Sequence, residues 1–432
     1  MIDATMDRSA EALNRALNLA TAYAGWRRFD PGPSANVDAR YAAMPALTKR
    51  ELRRDFPAGF VPRGSDLDAA LARGEVEFVQ TAGTSGDAVR LLWHQGWWDA
   101  SEQASWQLNA HARRLMTGKH REAVLASARC VGPPFRPEPR TMEERTLGRL
   151  LFLNEATSVQ WSDADVQRMA TELGLYRPLV LEGDPSYLAA FSRRARALGL
   201  ALHQPELIVL TYGLASGAHL AQIRRAFTVP TMSSHGSTEC GYVFIECEHG
   251  RLHQNVRFCR VDVVPMVTAA GGPRLVRLLV TPFGHPYFVV LRFDIGDLAL
   301  VSAEPCPCGN HQGLVLDGVA GRGIDATLTV DGRLVAVREL DRALGHAESL
   351  CGWQLDQAGP TAYGLRIVSD RPADDAAAAH VALARLYGPG AQVSVSAVDT
   401  LVAEPSGKYR LARTDSVIDI EARSALHLPP AP

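Results

Sequence analysis

The sequence predicts an α/β protein. It should have a large N-terminal domain with helix-covered parallel sheets and a β-barrel-like region, and a small α+β C-terminal domain on a hinge. Three observations lead there. Short apolar runs alternate with stretches of helical periodicity up to about residue 226. Closely spaced Val- and Leu-rich segments follow between residues 258 and 301, a texture of antiparallel or barrel-like strands. After Gly321-Arg322-Gly323-Ile324-Asp325 comes a compact βαβ-like tail, which places a domain boundary between residues 322 and 323.

Helical periodicity is visible over residues 101–116, 185–199 and 216–226, and buried strands are expected at 76–79, 123–126, 179–181 and 206–210. Strands alternating with helices in this way imply a parallel sheet covered by helices. The later strands are expected at 258–264, 274–281, 287–293 and 297–301. In the tail the expected strands lie near 326–330, 364–368 and 392–397, with a helix near 374–386. Trp93, Trp97, Trp98 and Trp106 fall at helical spacing and are read as core.

At 432 residues the chain exceeds what one compact core holds and calls for two or three domains. With 47% hydrophobic residues and a formal net charge of −2, it shows no basic surface for nucleic acid or for an anionic membrane. No apolar stretch is long enough to span a bilayer, and residues 1–20 carry acidic side chains where a secretory leader would be basic. A cytoplasmic protein is therefore expected, with the 7 cysteines as thiols or metal ligands.

Only three lysines stand against a large excess of arginine, and Lys408 lies in Pro405-Ser406-Gly407-Lys408. Lysine is a compact charge on a flexible stem, so its survival after a glycine suggests a role that arginine's planar fork cannot fill. Elsewhere, Gln80-Thr81-Ala82-Gly83-Thr84-Ser85-Gly86 follows a strand and could offer backbone N–H groups and hydroxyls to phosphate, although no Gly-Lys-Ser/Thr follows as in a Walker A loop. In Ser233-Ser234-His235-Gly236-Ser237-Thr238-Glu239, Glu239 could hold Mg²⁺. In Arg292-Phe293-Asp294-Ile295-Gly296-Asp297, Asp297 could accept both hydroxyls of a ribose. Ordinary turns would look similar at each place. Cys247 and His253, with Cys306-Pro307-Cys308 much later, supply a tetrahedral N/S set suited to structural zinc, with His249 as the substitute ligand; the alternative is a turn with free thiols.

In this order and spacing, the segments resemble the adenylate-forming (ANL) superfamily, specifically its phenylacetate–CoA ligase-like branch, from about residue 75 to 413. Gly321-Arg322 resembles that branch's Gly-Arg before the hinge, and Gly407-Lys408 its C-terminal Gly-Lys. The resemblance implies ATP-dependent activation of a carboxylic acid as acyl-adenylate, with release of pyrophosphate and transfer to a thiol, usually coenzyme A. By this likeness Thr81, Gly83, Thr84, Ser85 and Gly86 would hold the leaving phosphates, and Glu239 the Mg²⁺. Asp297 would hold the ribose, Arg322 a phosphate or ribose oxygen, and Gly213, Leu214, Ala215, Ser234, His235 and Gly236 would flank the adenine with Ser237 and Thr238 alongside. Lys408 would bridge the attacking carboxylate and the nucleotide, carried by a domain that turns about Asp325. Some members of the branch have a similar zinc site, and dimers are common in it.

The chain departs from the branch at several positions. Asp87 follows Gly86 where a lysine is usual, Ala215 stands where a glutamate is usual, His235 replaces a tyrosine, and Asp294 replaces a basic residue. Pro133-Pro134-Phe135-Arg136-Pro137-Glu138-Pro139-Arg140 stands where the branch has a glycine-rich acyl-pocket stretch, so phenylacetate itself is not the expected acid, while the resemblance to the branch still implies an aryl or heteroaryl acid. Arg136 or Arg140 could pair with a second polar group on it. Two other readings remain: transfer of the acyl group to a carrier protein or an amine, and a degenerate non-catalytic nucleotide-binding module.

Overall fold

The computed structural model describes residues 2–80, 89–116, 120–267, 274–345, 349–425 and 428–429. The chain forms two compact units. One comprises residues 1–116, 234–318 and 419–432, the other residues 117–233 and 319–418. No helix among the described residues is long and apolar enough to cross a membrane.

In the first unit an antiparallel ladder runs from Cys259–Pro265 through Leu275–Pro282 to Phe293–Val301. Leu252–Gln254 and Gly241–Glu246 extend the antiparallel pairing. This is an open sheet, so the barrel-like expectation for this stretch resolves into a ladder with no closed barrel among the described residues. No separate strand forms over 287–293; the chain there is irregular, and a single strand then runs from Phe293 to Val301.

The helix expected over 101–116 is two helices, Gln95–Trp106 and Ala110–Leu115. Asn109 divides them, because its side chain accepts from His111 N and Ala112 N and so restarts the helix. The first helix packs on Gly241–Glu246. Gly241 has φ +71°, and a Cβ there would sit 2.8 Å from Ser101 Oγ and 2.9 Å from Trp97, so only glycine permits the close approach. Trp97 and Trp106 are core, while Trp93 and Trp98 are half-buried and stack on each other with centroids 4.3 Å apart.

The second unit holds the predicted parallel sheet. Leu207–Leu210, Val180–Gly183, Glu122–Leu125 and Leu150–Phe152 lie side by side and parallel, with helices Asp163–Tyr176 and Pro185–Ala197 between them in sequence and Gly217–Ala226 after the last. Leu207–Leu210 is buried throughout, as a strand covered on both faces requires. Leu125, Leu181, Leu188, Phe191 and Ile208 are fully buried in one cluster. Phe191→Ala is expected to cost about 3–5 kcal/mol in chemical denaturation, because it empties a filled volume.

A second, four-stranded sheet in this unit has the order Gln392–Ala397, Ala362–Ser369, Leu350–Ala358, Ala412–Thr414. Helices Val337–Leu344 and Pro372–Tyr387 contribute to its core with Trp353, Leu355 and Ile367. The strand Leu350–Ala358 and the helix Val337–Leu344 were not foreseen. Their buried side chains belong to one hydrophobic cluster with those of the other strands of this sheet.

Candidate active site

Lys408 sits on a tightly folded loop. Gly407 N donates to Glu404 O at 2.7 Å and Glu404 N to Lys408 O at 2.8 Å, while Arg413 holds the Glu404 carboxylate at 2.7 Å. Two residues on, Arg410 donates to Asp325 Oδ1 at 2.7 Å and to Ile324 O at 2.9 Å, so the predicted hinge residue is pinned to the lysine's own segment.

The loop is seated at the C-terminal ends of the parallel strands, the edge where open α/β sheets bind ligands. Ser127 Oγ donates to Ser406 O at 2.9 Å, Arg129 Nη1 to Pro405 O at 3.0 Å, and Tyr187 OH to Gly407 O at 2.8 Å. Val159 N donates to Tyr409 OH at 2.9 Å. Gly407 has φ +85°, and a Cβ on it would lie 2.0 Å from Ser127 Oγ and 2.5 Å from Thr157 O. The seat therefore excludes every side chain. Gly407→Ala is expected to unseat Lys408 and lower acid-dependent pyrophosphate exchange roughly a hundredfold, with Tyr187→Phe, which removes one bond and adds no volume, giving a smaller loss in the same assay.

The Lys408 charge acts on Cys130 and Asp184. Burial raises the Cys130 thiol and the Asp184 carboxyl, and the nearby ammonium opposes both shifts. Asp184 also caps the helix Pro185–Ala197, accepting from Ser186 N at 2.8 Å. Beside the seat, Arg129, Cys130, Val131, Pro133, Pro134 and Phe135 line a recess of about 450 Å³. Arg136 is engaged elsewhere, pairing with Glu144 at 2.9 Å on the surface. Arg140 is likewise engaged, its guanidinium donating to Pro134 O and its backbone N–H to Glu155 at 2.6 Å.

Gly213, Leu214 and Ala215 follow the strand Leu207–Leu210 in the same unit, and Ser216 caps the next helix through His219 N. Gly217 N donates to Asp341 at 2.9 Å, and Leu214 packs against the core of the four-stranded sheet. Arg322 ends the strand Val315–Arg322 and opens the short turn Gly323–Asp325.

In the first unit, Glu239 is buried in the tip between the strands Thr231–Ser237 and Gly241–Glu246. Cys240 N donates to Ser237 O at 3.1 Å and closes that tip. His235 Nε2 stands 3.3 Å from Asp297 Oδ2, and Asp297 is buried on the strand Phe293–Val301. The Ser237 hydroxyl is buried beside the Cys240 thiol. Asp294, by contrast, pairs with Arg277 at 2.5 Å, which is a structural use of that carboxylate. Thr81, Gly83, Thr84, Ser85, Gly86 and Asp87 lie outside the described residues.

Cys247, His253, Cys306 and Cys308 come together with all four ligand atoms within 4.8 Å of one another. The Cys247 and Cys306 sulfurs are 3.6 Å apart, and Cys308 Sγ is 3.3 Å from His253 Nε2. Backbone N–H groups of His249 and Asn310 donate to the Cys247 and Cys308 sulfurs at 3.4 and 3.5 Å, the kind of bond that favours thiolate. Burial nonetheless pushes the Cys247 thiol up to about 12 and raises Cys308, so an added cation is what would hold these sulfurs as thiolates. His253 completes the set and His249 does not. A Cys₃His set with no fifth donor among the described residues fits a closed tetrahedral metal centre.

Sequence reasoning missed Ser127, Cys130, Thr157, Asp184, Tyr187 and Tyr409. Asp184-Pro185-Ser186-Tyr187, a capping residue and a proline at the end of an apolar run, was the available signal for a ligand-facing strand end.

The chain has the fold of the adenylate-forming ligases. It is similar to 2-hydroxyisobutyryl-CoA ligase in the postadenylation state in complex with 2-HIB-AMP, with a TM-score of 0.68 and 17% identity over 96% of this chain and 89% of that one. An open conformation of the same ligase in complex with 2-HIB-AMP and CoA gives 0.57 at 16% identity, over 96% and 91%. Its thioesterification state gives 0.54 at 18% identity, over 96% and 89%. No protein-family model matches the chain, and no curated protein matches it.

Proposed function

We propose that this chain is an adenylate-forming ligase of the phenylacetate–CoA ligase-like branch. A carboxylate oxygen attacks the α-phosphorus of Mg·ATP, the bond to pyrophosphate breaks, and an acyl-adenylate forms. A thiol, most simply that of coenzyme A, then attacks the acyl carbon and AMP leaves. The observation that carries this reading is the built seat for Lys408: a chain that uses arginine almost everywhere keeps one lysine on a loop held by Ser127, Arg129 and Tyr187. A reaching ammonium there would neutralise charge that develops between carboxylate and phosphate.

In this reading Glu239 serves the magnesium ion, Asp297 the ribose, Gly213, Leu214 and Ala215 the adenine, and Arg322 a phosphate or ribose oxygen. The recess lined by Val131, Pro133 and Phe135 is the candidate place for the acid's apolar part, and an aryl or heteroaryl acid suits its lining. Residues 323–432 act as the mobile domain, turning near Asp325. Cys247, His253, Cys306 and Cys308 hold a structural zinc that ties two loops together and leaves no open position for water. The test is acid-dependent ATP–pyrophosphate exchange across a panel of acids, followed by thioester formation with coenzyme A. Exchange abolished in Lys408→Ala supports the reading; a folded, metal-loaded protein that exchanges with no acid overturns it.

A further inference from the structure

We infer that the pair Glu182–Tyr212 is a recognition site for a protonated amine, so that the acid this chain activates carries a basic nitrogen. The inference rests on the acid-activating reading above and names its substrate class.

Strand alternation sets the face on which Glu182 lies. In Val180–Gly183, Leu181 faces the helix-covered core with its register partners Ala123 and Ile208, so Glu182 faces the other side with Val124 and Val209. Asp184 lies two residues on, next to the charge of Lys408. Glu182 and the lysine seat therefore share the C-terminal edge of one parallel sheet, where ligands of such sheets bind.

Tyr212 leaves the neighbouring strand in a left-handed conformation, φ +68°, which an aromatic residue rarely adopts. Strict alternation would leave its side chain with that of Leu210 on the core face. The left-handed turn instead lets its hydroxyl donate to Glu182 Oε1, immediately before the Gly213 segment. Backbone strain kept at a strand end beside a half-buried carboxylate is the pattern of a ligand site.

The charge around Glu182 is unbalanced. Glu172, a buried carboxylate in the same unit, has Arg145 at 2.5 Å and Arg168 at 2.9 Å. Among the described residues Glu182 has a neutral phenol as its hydrogen-bond partner and no ion pair. Glu122, on the same face, adds a second negative charge, although His120 Nε2 stands 2.8 Å from it. Burial first, and Glu122 after it, raise the Glu182 carboxyl to about 7, against the opposing effect of the Tyr212 hydroxyl. An ammonium group delivered by the substrate would restore the charged form and replace the missing counterion. An acid without such a group would leave the carboxylate uncompensated.

The test uses the full chain and matched probes: 4-aminomethylbenzoate against 4-methylbenzoate, and phenylalanine against 3-phenylpropionate. Binding is measured by calorimetry in Lys408→Ala, which holds chemistry off, and exchange is measured in the wild type. The amine-bearing member of a pair is expected to bind roughly tenfold tighter or more. Adding Glu182→Gln should erase that preference while leaving the amine-free member within about threefold, and Tyr212→Phe should reduce it. Equal binding of both members, or an equal loss for both in Glu182→Gln, would overturn the amine site and leave Glu182 a structural residue. Exchange with amine-free acids alone would overturn it too while sustaining acid activation. An amine preference in binding with no exchange for any acid would support the amine site and overturn the ligase reading.

Discussion

Lys408→Ala is expected to lower acid-dependent ATP–pyrophosphate exchange by about 10²–10³-fold, the usual consequence of removing a preorganised charge aimed at the transition state. The side chain is half-buried, and its removal breaks none of the backbone bonds that seat the loop, since these run through the carbonyls of Pro405, Ser406 and Gly407 and the Tyr409 hydroxyl. The melting temperature should therefore stay near that of the wild type. This separates the variant from Gly407→Ala, which disturbs the seat itself. Lys408→Arg should fail nearly as badly, because a bulkier planar fork replaces a compact reaching ammonium. Thioester formation from a supplied acyl-adenylate offers a second readout: if Lys408 serves only the first half-reaction, the second should survive in Lys408→Ala. Exchange left within a few-fold of wild type would remove the lysine from the chemistry.

Loss of the proposed metal centre is expected to have the largest effect on stability. Cys247→Ser, or removal of metal by a chelator, should eliminate about one equivalent of bound zinc. It should also cost about 3 kcal/mol or more, which lowers the melting temperature by roughly 6–12 °C for a unit of this size. The cause is local. The set joins two chain segments, 247–253 and 306–308, in one unit, and without a cation it leaves three thiols and a buried imidazole with an unpartnered Nδ1 crowded together. His249→Ala should retain the zinc, since His253 and not His249 lies with the three sulfurs. Full stability in the chelated protein, with no metal found by elemental analysis, would return the cluster to a turn with free thiols.

The parallel half of the fold was legible because its strands are buried on both faces and read as continuous apolar runs, with helices of clear periodicity between them. The antiparallel half was legible only in part. Three of its strands were found and the one expected over 287–293 did not form; their closeness in sequence suggested closure, and whether a sheet closes depends on tilt and stagger that no single strand encodes. The break between the two helices at Asn109 was written in a capping residue that the periodicity of the flanking turns concealed.

For the candidate site, the four side chains proposed as metal ligands and Lys408 could be picked out by residue type and spacing, since cysteine pairs and a rare lysine are conspicuous against this composition. The sequence also nominated Glu239 for magnesium, Asp297 for ribose and the hydroxyl-rich loops for phosphate, through the chemistry of those side chains together with the family resemblance, and the proposed function adopts these roles. Tertiary structure alone decided what holds Lys408 in place. Ser127, Thr157 and Tyr187 are ordinary residues at distant positions, and they become a seat only where strand ends and a glycine with no side chain meet within van der Waals distance. It alone also decided that Asp294 is spent on Arg277 while Glu182, among the described residues, keeps a phenol and no ion pair. A counterion is a neighbour in space, and a linear sequence lists neighbours only along the chain.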